Sequence, residues 1–265
     1  MIFTFYSFKG GVGRSMAVAG IANLLAREGL RVLAIDFDLE APGLERYFFD
    51  ADESRRVREG PGLVDLLLTY KRALTNEAAF ERAEFKNWRS FVTEAIPRAS
   101  DKGGLVDIIT SGRREPQERL REYALAVRTF DWQDFFDNWK GEGFFEWLRR
   151  QVVGKAPGYD VVLVDSRTGV TEMGGICAYQ LADVAVMLCA ANYQNLDGTV
   201  AVANDFRSDA VLALRRGRPL ELLVVPARLE DNNPGREEFL RHFEELFASS
   251  GIPKALADCG LNYRK

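Results

Sequence analysis

The residues with the clearest chemical role lie within the first fifteen positions of the chain. Residues 8–15 read FKGGVGRS and combine three glycines with two cationic side chains and a closing serine. Because glycine has no Cβ, successive backbone N–H groups in such a segment can turn inward around an anion. The serine hydroxyl stands where loops of this kind coordinate Mg²⁺. The spacing therefore predicts a phosphate-binding loop for a nucleoside triphosphate.

The residues on either side of this loop supply a strand before it and a helix after it. Residues 1–7 are apolar, β-branched and aromatic, which is typical of a buried strand. Residues 15–28 carry apolar side chains at helical spacing, and the dipole of that helix would add to the anion-binding N–H groups. We expect the nucleotide to be contacted by Lys9, Gly10, Gly11, Val12, Gly13, Arg14, Ser15 and Met16.

Carboxylates stand at the ends of two later apolar stretches. The predicted strand Arg31–Ile35 leads into Asp36 and Asp38, and the predicted strand 159–165 ends in Asp165. Because the carboxyl ends of parallel strands meet at one edge of a sheet, we expect these acids beside the phosphate loop. An apolar strand that ends in aspartate is typical of a Walker B carboxylate, which orients a water molecule on Mg²⁺.

Asp36 has a second interpretation. It lies about 20 residues after the glycines, where a dinucleotide-binding fold places an acid on a ribose hydroxyl. A G-x-G-x-x-G register that begins at Gly11 would, however, need a small residue where Met16 stands. The pattern therefore favours the triphosphate interpretation over the dinucleotide one.

Two loops further along the chain carry additional candidates. Gly169 is expected to present a backbone N–H to the γ-phosphate, and Arg167 is either a charge-stabilising group or a surface residue. Pro226 and Arg228 follow a predicted strand at 222–225. They either hold the base, through backbone contacts and a stacked guanidinium, or form an ordinary strand exit.

Three segments together resemble a known family: FKGGVGRS at 8–15, DFDLEAPGL at 36–44 and DSRTGVTEMGGICAYQLAD at 165–183. The ordinary P-loop, G-x-x-x-x-G-K-[ST], fits with two exceptions, since Phe8 replaces its first glycine and Arg14 its lysine. The deviant Walker A loop, K-G-G-x-x-K-[ST], fits with Arg14 as the one departure. The chain resembles the ParA/MinD family of P-loop ATPases, and more narrowly its KGGVGR-motif variant subgroup, in which arginine stands at this position.

This resemblance implies an α/β three-layer P-loop NTPase fold with a mostly parallel sheet, and ATP and Mg²⁺ as cofactors. It also implies that Asp38 positions or activates the attacking water, and that Lys9 reaches across a homodimer to the partner's nucleotide. The catalytic candidates are Lys9, Arg14, Asp36 and Asp38, and the metal candidates are Ser15, Asp38 and Asp165.

The chain of 265 residues is long enough to bury a substantial core, and we expect residues 1–265 to form a single P-loop ATPase domain. Residues 45–155 are a predicted helical insertion between the second strand and the Walker B strand. Within it we predict helices at 63–74, 76–87, 116–128, 131–139 and 143–153, and strands at 91–96 and 105–109. After it we predict strands at 184–189 and 222–225, a helix near 196–214 and a last helix through Phe239, Phe243 and Leu246.

The insertion is rich in aromatic residues. It contains all four tryptophans, at 88, 132, 139 and 147, together with Phe130, Phe135, Phe136, Phe144 and Phe145. These side chains either pack as a helical layer against the sheet or form, in part, an exposed surface for a partner.

Composition narrows the possible partners and location. A net charge of −4 provides no global basic field, so a nucleic-acid partner has no support from charge. The three cysteines form no C-x-x-C pair, which suits reduced thiols. There is no secretory signal pattern and no run of about 18 apolar residues, so we expect a cytoplasmic protein without a membrane span.

Three functions fit this set of residues. The first is a molecular switch that binds ATP with Mg²⁺, hydrolyses it slowly, and is coupled to homodimerisation and to an unidentified protein partner or effector domain. The second is a non-hydrolysing nucleotide-binding scaffold or sensor that presents its insertion to a partner; Arg14 motivates it, because a planar guanidinium is larger than a lysine ammonium. The third is a partition-type ATPase that binds DNA. Whether the chain is an ATPase at all depends on what Arg14 permits.

Overall fold

A computed structural model describes residues 1–75, 84–96, 102–153, 158–167, 180–229 and 235–249 of the chain. Its strands are β1 (Ile2–Tyr6), β2 (Arg31–Asp36), β3 (Thr93–Ile96), β4 (Leu105–Ile109), β5 (Val161–Asp165), β6 (Val184–Ala190) and β7 (Glu221–Ala227). Its α-helices are α1 (Arg14–Arg27), α2 (Ala51–Val57), α3 (Leu63–Ala73), α4 (Gln117–Thr129), α5 (Trp132–Asn138), α6 (Gly141–Val153), α7 (Tyr193–Phe206), α8 (Asp209–Leu214) and α9 (Arg236–Ser249).

The chain divides into two compact units. The first unit contains Met1 and Ser15–Asp165, and the second contains Ile2–Arg14 and the described residues from Ser166 onward. In the first unit β2 lies between β4 and β5 and is parallel to both, while β3 pairs antiparallel with the outer edge of β4. In the second unit β6 lies between β1 and β7 and is parallel to both. The predicted α/β class with mostly parallel strands is confirmed.

The composition of β2 explains its central position in the first unit. Val32, Leu33, Ala34 and Ile35 are all buried, so the strand is covered on both faces. A strand in that position needs a continuous apolar run rather than alternation of apolar and polar residues. Its register places Asp36 directly opposite Asp165 of β5.

The aromatic residues of the insertion form an internal core. Phe135, Phe144 and Phe145 are fully buried. The ring centroids of Tyr70, on α3, and Phe144 are 4.9 Å apart. The ring of Phe37, which follows β2, lies 6.2 Å from that of Phe145. All nine aromatic residues of the insertion highlighted above are buried or half-buried. The packing of these rings supports the first alternative, while Phe130, Phe136, Trp139 and Trp147 are half-buried, so a contribution of part of this set to a partner surface stays a prediction.

Two predicted helices need comment, and one observed helix was not predicted. The single helix expected near 196–214 is wrong: α7 and α8 are separate, because the Ser208 hydroxyl accepts a hydrogen bond from Val211 N at 3.3 Å and starts a new helix. The sequence reading also missed α2, which begins at a capping box formed by Asp50 and Glu53. Most of the helix expected at 76–87 lies outside the described residues, whose nearest element is a 3₁₀ turn at Glu84–Lys86.

The second unit has its own core around β6. Helices α7 and α9 cover it, and the ring of Tyr6 on β1 meets that of Phe206 edge-on, with centroids 5.6 Å apart. The main apolar contributors are Tyr6, Met187, Leu196, Phe206, Val224, Phe239, Phe243 and Phe247. Among the helices that the structure describes, none has the length and apolarity needed to cross a lipid bilayer.

We predict that Phe135→Ala lowers the free energy of unfolding by about 3–5 kcal/mol, because it leaves a cavity in the aromatic core. Urea unfolding of the full chain, followed by tryptophan fluorescence, measures this change. Leu125→Ala on α4 is the control, since Leu125 is 52% exposed and its truncation should cost under about 0.5 kcal/mol. Equal losses for the two variants would contradict an internal aromatic core.

Candidate functional site

The loop between β1 and α1 adopts the backbone geometry that its glycines predict. Gly11 and Gly13 have φ angles of 76° and 87°, in the left-handed region that side chains with a Cβ rarely enter. Gly10 and Gly11 are exposed, so the loop presents peptide backbone to solvent at these two positions. Such a segment can direct N–H groups at an anion.

Arg14 lies at the end of this loop with its side chain largely buried. It is 7% exposed, and its Nη1 donates a hydrogen bond to the hydroxyl of Ser7 at 3.2 Å. Burial raises the pKa of neighbouring Tyr6 to about 12, and the charge of Arg14 partly opposes that rise. The next residues, Ser15 and Met16, are half-buried and 61% exposed respectively. The cation that replaces the usual lysine is therefore held beside the end of β1.

Helix α7 contacts the beginning of the loop at two points. The exposed Lys9 donates a hydrogen bond from Nζ to Oε1 of Gln194 in the first turn of the helix. The ring of Phe8 lies against Gly198, where a Cβ would come within 2.4 Å of a ring carbon. The signature lysine is therefore bonded within its own chain, and Gly198 leaves the space that Phe8 occupies.

The end of β7 also reaches the loop. Nη1 of Arg228 donates a hydrogen bond to the carbonyl oxygen of Gly11 at 2.9 Å, and Arg228 itself has a φ of 56°. Pro226 lies within β7, where it pairs with Cys189 of β6. Sequence analysis linked Arg228 to a base and missed its contact with the loop backbone; base binding by Pro226 and Arg228 stays a prediction.

In the first unit, Asp36 and Asp165 form a buried pair of carboxylates. They end neighbouring parallel strands in direct register and are 0% and 1% exposed. Burial, followed by the negative charge of Asp165, raises the pKa of Asp36 to about 7, although a hydrogen bond from Leu44 N opposes the rise. A cation beside the pair would favour the ionised form of Asp36.

The carboxylate of Asp36 also shapes the loop that follows β2. Its Oδ1 accepts a hydrogen bond from Asp38 N at 3.2 Å, and its Oδ2 accepts bonds from Gly43 N at 3.0 Å and Leu44 N at 3.2 Å. Both oxygens are thus used inside the protein, which does not suit an acid that binds a ribose hydroxyl. Asp38 is half-buried, two residues beyond this anchor.

A buried ion-pair network supports the same loop, and sequence analysis missed it. Glu45 is 0% exposed and pairs with Nη2 of Arg114 at 3.0 Å and with Nη1 of Arg58 at 3.5 Å. The hydroxyl of Tyr123 on α4 donates a hydrogen bond to the carbonyl oxygen of Leu39 at 2.6 Å. These partners come from distant segments of the chain and form no motif, so no local signal could have indicated them.

The remaining candidate residues lie after β5. Arg167 is half-buried beside Ser166, whose Oγ donates a hydrogen bond to the carbonyl oxygen of Arg167 at 3.1 Å. Gly169 lies outside the described residues. The structure therefore brings Asp36, Asp38 and Asp165 together in the first unit, and Lys9, Gly11, Arg14 and Arg228 around the loop in the second.

We predict that Glu45→Gln destabilises the protein by about 3 kcal/mol or more, because the buried guanidinium of Arg114 loses its carboxylate partner. The midpoint of urea unfolding measures the change. Glu122→Gln is the control: its pair with Arg119 is exposed, and the loss there should be under about 1 kcal/mol. A Glu45→Gln variant as stable as the Glu122→Gln variant would contradict a structural role for the network.

Comparison with known proteins supports a nucleotide-binding assignment. The sequence model of the CobQ/CobB/MinD/ParA nucleotide binding domain matches residues 3–228, which is most of the chain. No curated protein sequence gives a significant match.

Several solved structures share the fold. A plasmid partition protein from Borrelia burgdorferi is 18% identical, with a TM-score of 0.58 over 94% of this chain and 85% of that one. The pNOB8 ParA protein bound to nonspecific DNA is 18% identical, with a TM-score of 0.58 over 96% of this chain and 76% of that one. A protein from Borrelia burgdorferi B31 described as a plasmid partition protein and bound to AMPPNP is 18% identical, with a TM-score of 0.56 over 91% and 81%.

At these identities the structural likeness shows the fold, and the match to the family model shows the family. The glycine loop with Gly11 and Gly13 at positive φ, and the carboxylates that end β2 and β5, lie inside the matched range. The chain therefore belongs to the CobQ/CobB/MinD/ParA family of nucleotide-binding domains.

Proposed function

We propose that this chain is a nucleotide-dependent molecular switch that binds ATP with Mg²⁺, hydrolyses it slowly, and couples hydrolysis to homodimerisation and to the regulation of a partner. The observation that carries the proposal is the exposed loop in which Gly11 and Gly13 adopt left-handed φ angles. We further propose that residues 1–265 act as a single P-loop ATPase domain in which 45–155 is an insertion.

The chemistry of the available donors fits ATP and Mg²⁺. Backbone N–H groups suit phosphate oxygens, while a serine hydroxyl and aspartate oxygens are ligands that Mg²⁺ prefers. When bound, ATP with Mg²⁺ supplies the phosphoryl group and offsets part of its negative charge. The proposed phosphate contacts are Lys9, Gly10, Gly11, Val12, Gly13, Arg14, Ser15, Met16 and Gly169. The proposed metal ligands are Ser15, Asp38 and Asp165. The proposed base contacts are Pro226 and Arg228.

Asp36 and Asp38 have different roles in this proposal. Asp36 is a positioning residue, because its carboxylate accepts three backbone hydrogen bonds from the loop that carries Asp38. Asp38 is half-buried and is proposed to orient the attacking water. The buried partner of Asp36, Asp165, would be a ligand of Mg²⁺ when the metal is bound.

Lys9 supports the proposed coupling to dimerisation. Its side chain is exposed and bonded to Gln194, so its charge is available at the surface of the protein once that contact is exchanged. A flexible four-carbon stem lets an ammonium group reach a phosphate that another protomer holds. In this proposal Lys9 leaves Gln194 and contacts the nucleotide of a second copy of the chain.

Arg14 supports slow hydrolysis and also favours the alternative. A guanidinium is planar and bidentate, so it keeps positive charge near phosphates but does not reproduce the compact charge of lysine. Its side chain is buried and bonded to Ser7, and in this proposal it exchanges that bond for a contact with the γ-phosphate. If it does not, the chain is a non-hydrolysing nucleotide-binding scaffold.

The structure of pNOB8 ParA contains DNA, but the net charge of −4 gives partition-type DNA binding no support here.

The decisive experiment measures ATP turnover per chain against protein concentration, with sedimentation in ATP and in ADP. Turnover should rise with concentration, because the active form is a dimer. Lys9→Ala and Asp38→Ala should each lower turnover by about 100-fold, since the first removes a cation proposed to contact the nucleotide and the second a carboxylate proposed to orient the attacking water. Lys102→Ala and Asp137→Ala are controls at exposed positions and should leave turnover unchanged.

The outcomes separate the candidate functions. A chain that sediments as a monomer in both ATP and ADP would contradict the dimeric switch. Turnover that is unchanged by Lys9→Ala would also contradict it. Tight ATP binding without turnover would favour the scaffold. DNA binding that requires ATP and weakens steeply with salt would favour the partition-type alternative.

A further inference from the structure

A cavity of about 660 Å³ lies in the first unit, between the loop after β2 and helix α4. Its volume is within the range of about 300–1,000 Å³ that small-molecule sites occupy. None of the residues assigned above to the phosphates, the metal or the base lines it. The cavity is therefore a candidate for a second ligand.

One wall of this cavity is apolar. Leu120, Ala124 and Val127 follow one another at helical spacing on α4 and share one face of the helix. Leu39 and Pro42, from the loop after β2, line the same cavity. Leu120 is 47% exposed, so much of this apolar surface is in contact with water. A ligand with an apolar body would bury that surface favourably.

The lining carries four arginines against two glutamates, and with the buried Glu45 that pairs with two of them, four positive charges face three negative ones, an excess of one. Two of the arginines, Arg58 and Arg114, are already paired with the buried Glu45. The other two, Arg46 and Arg128, are exposed and make no ion pair with any residue that the structure describes. An exposed guanidinium without an ion pair is suited to bind an acidic group of a ligand.

The walls of the cavity are tied to each other. The hydroxyl of Tyr123 donates a hydrogen bond to the carbonyl oxygen of Leu39, which joins α4 to the loop, and the guanidinium of Arg114 lies 5.9 Å from the Tyr123 ring. Burial raises the pKa of Tyr123, so its hydroxyl stays a donor at neutral pH. A cavity with walls fixed in this way loses little entropy when a ligand binds.

We propose that this cavity binds a small amphiphilic anion, a molecule with an apolar body and one acidic group. The apolar body packs against Leu120 and Val127, and the acidic group pairs with Arg46 and Arg128. None of the residues of the proposed ATP site lines this cavity, so the proposal is that the anion binds without nucleotide.

Anilinonaphthalene sulfonate is a suitable probe, because it combines an aromatic body with one sulfonate. Fluorescence titration and calorimetry on the full nucleotide-free chain should show one saturable site. Ala124→Trp fills the cavity from the exposed face of α4 and should weaken the affinity by at least about tenfold. Arg128→Gln should weaken it by about threefold to tenfold and reduce its dependence on salt. Arg121→Gln is the matched control, since Arg121 is exposed on the same helix and does not line the cavity.

The proposal is supported if Ala124→Trp and Arg128→Gln bind the sulfonate more weakly and Arg121→Gln binds it with the affinity of the original chain. An uncharged phenylnaphthylamine that binds as tightly as the sulfonate would overturn the requirement for an acidic group. Absence of saturable binding, or equal affinity in the original chain and Ala124→Trp, would overturn the site itself. Circular dichroism of each variant separates loss of the site from loss of the fold.

Discussion

The backbone of the loop between β1 and α1 is the constraint on which the proposed activity depends. A residue with a Cβ pays about 1–2 kcal/mol in the left-handed conformation that Gly11 and Gly13 adopt. Two other parts of the second unit contact this backbone, through the bond between Arg228 and Gly11 and the packing of Phe8 on α7. These contacts fix the loop at its first glycines, where Gly10 and Gly11 expose peptide backbone to solvent.

A single buried carboxylate has a comparable role in the first unit. Asp36 accepts three hydrogen bonds from the backbone of its own loop, and Glu45, one residue after that loop, is fixed by Arg58 and Arg114. The position of Asp38 therefore depends on groups that do not themselves act on a nucleotide. In each unit a short segment of backbone is held by contacts from residues outside it: buried polar contacts in the first unit, and in the second the bond from Arg228 and the packing of Phe8.

The sequence predicted the features that depend on local pattern. Buried parallel strands such as β2 are continuous apolar runs, and the glycine loop follows from residue type and spacing alone. It could not predict contacts such as the bond from Lys9 to Gln194, which are separated by 185 residues and leave no periodic signature. The break between α7 and α8 is different, because Ser208 is a local capping signal that the apolar spacing of the flanking residues outweighed.

Calorimetric titration of ATP with Mg²⁺ tests the central claim, that the glycine loop is the nucleotide site. Gly11→Ala should weaken binding by at least about tenfold, because the added Cβ strains a φ of 76°. Gly103→Ala introduces the same kind of strain at a φ of 75°, with no atom near the new Cβ, in a loop that is not proposed to touch nucleotide. Gly103→Ala should bind ATP with the affinity of the original chain. Absence of ATP binding by the original chain, or equal affinity in Gly11→Ala and Gly103→Ala, would contradict the account.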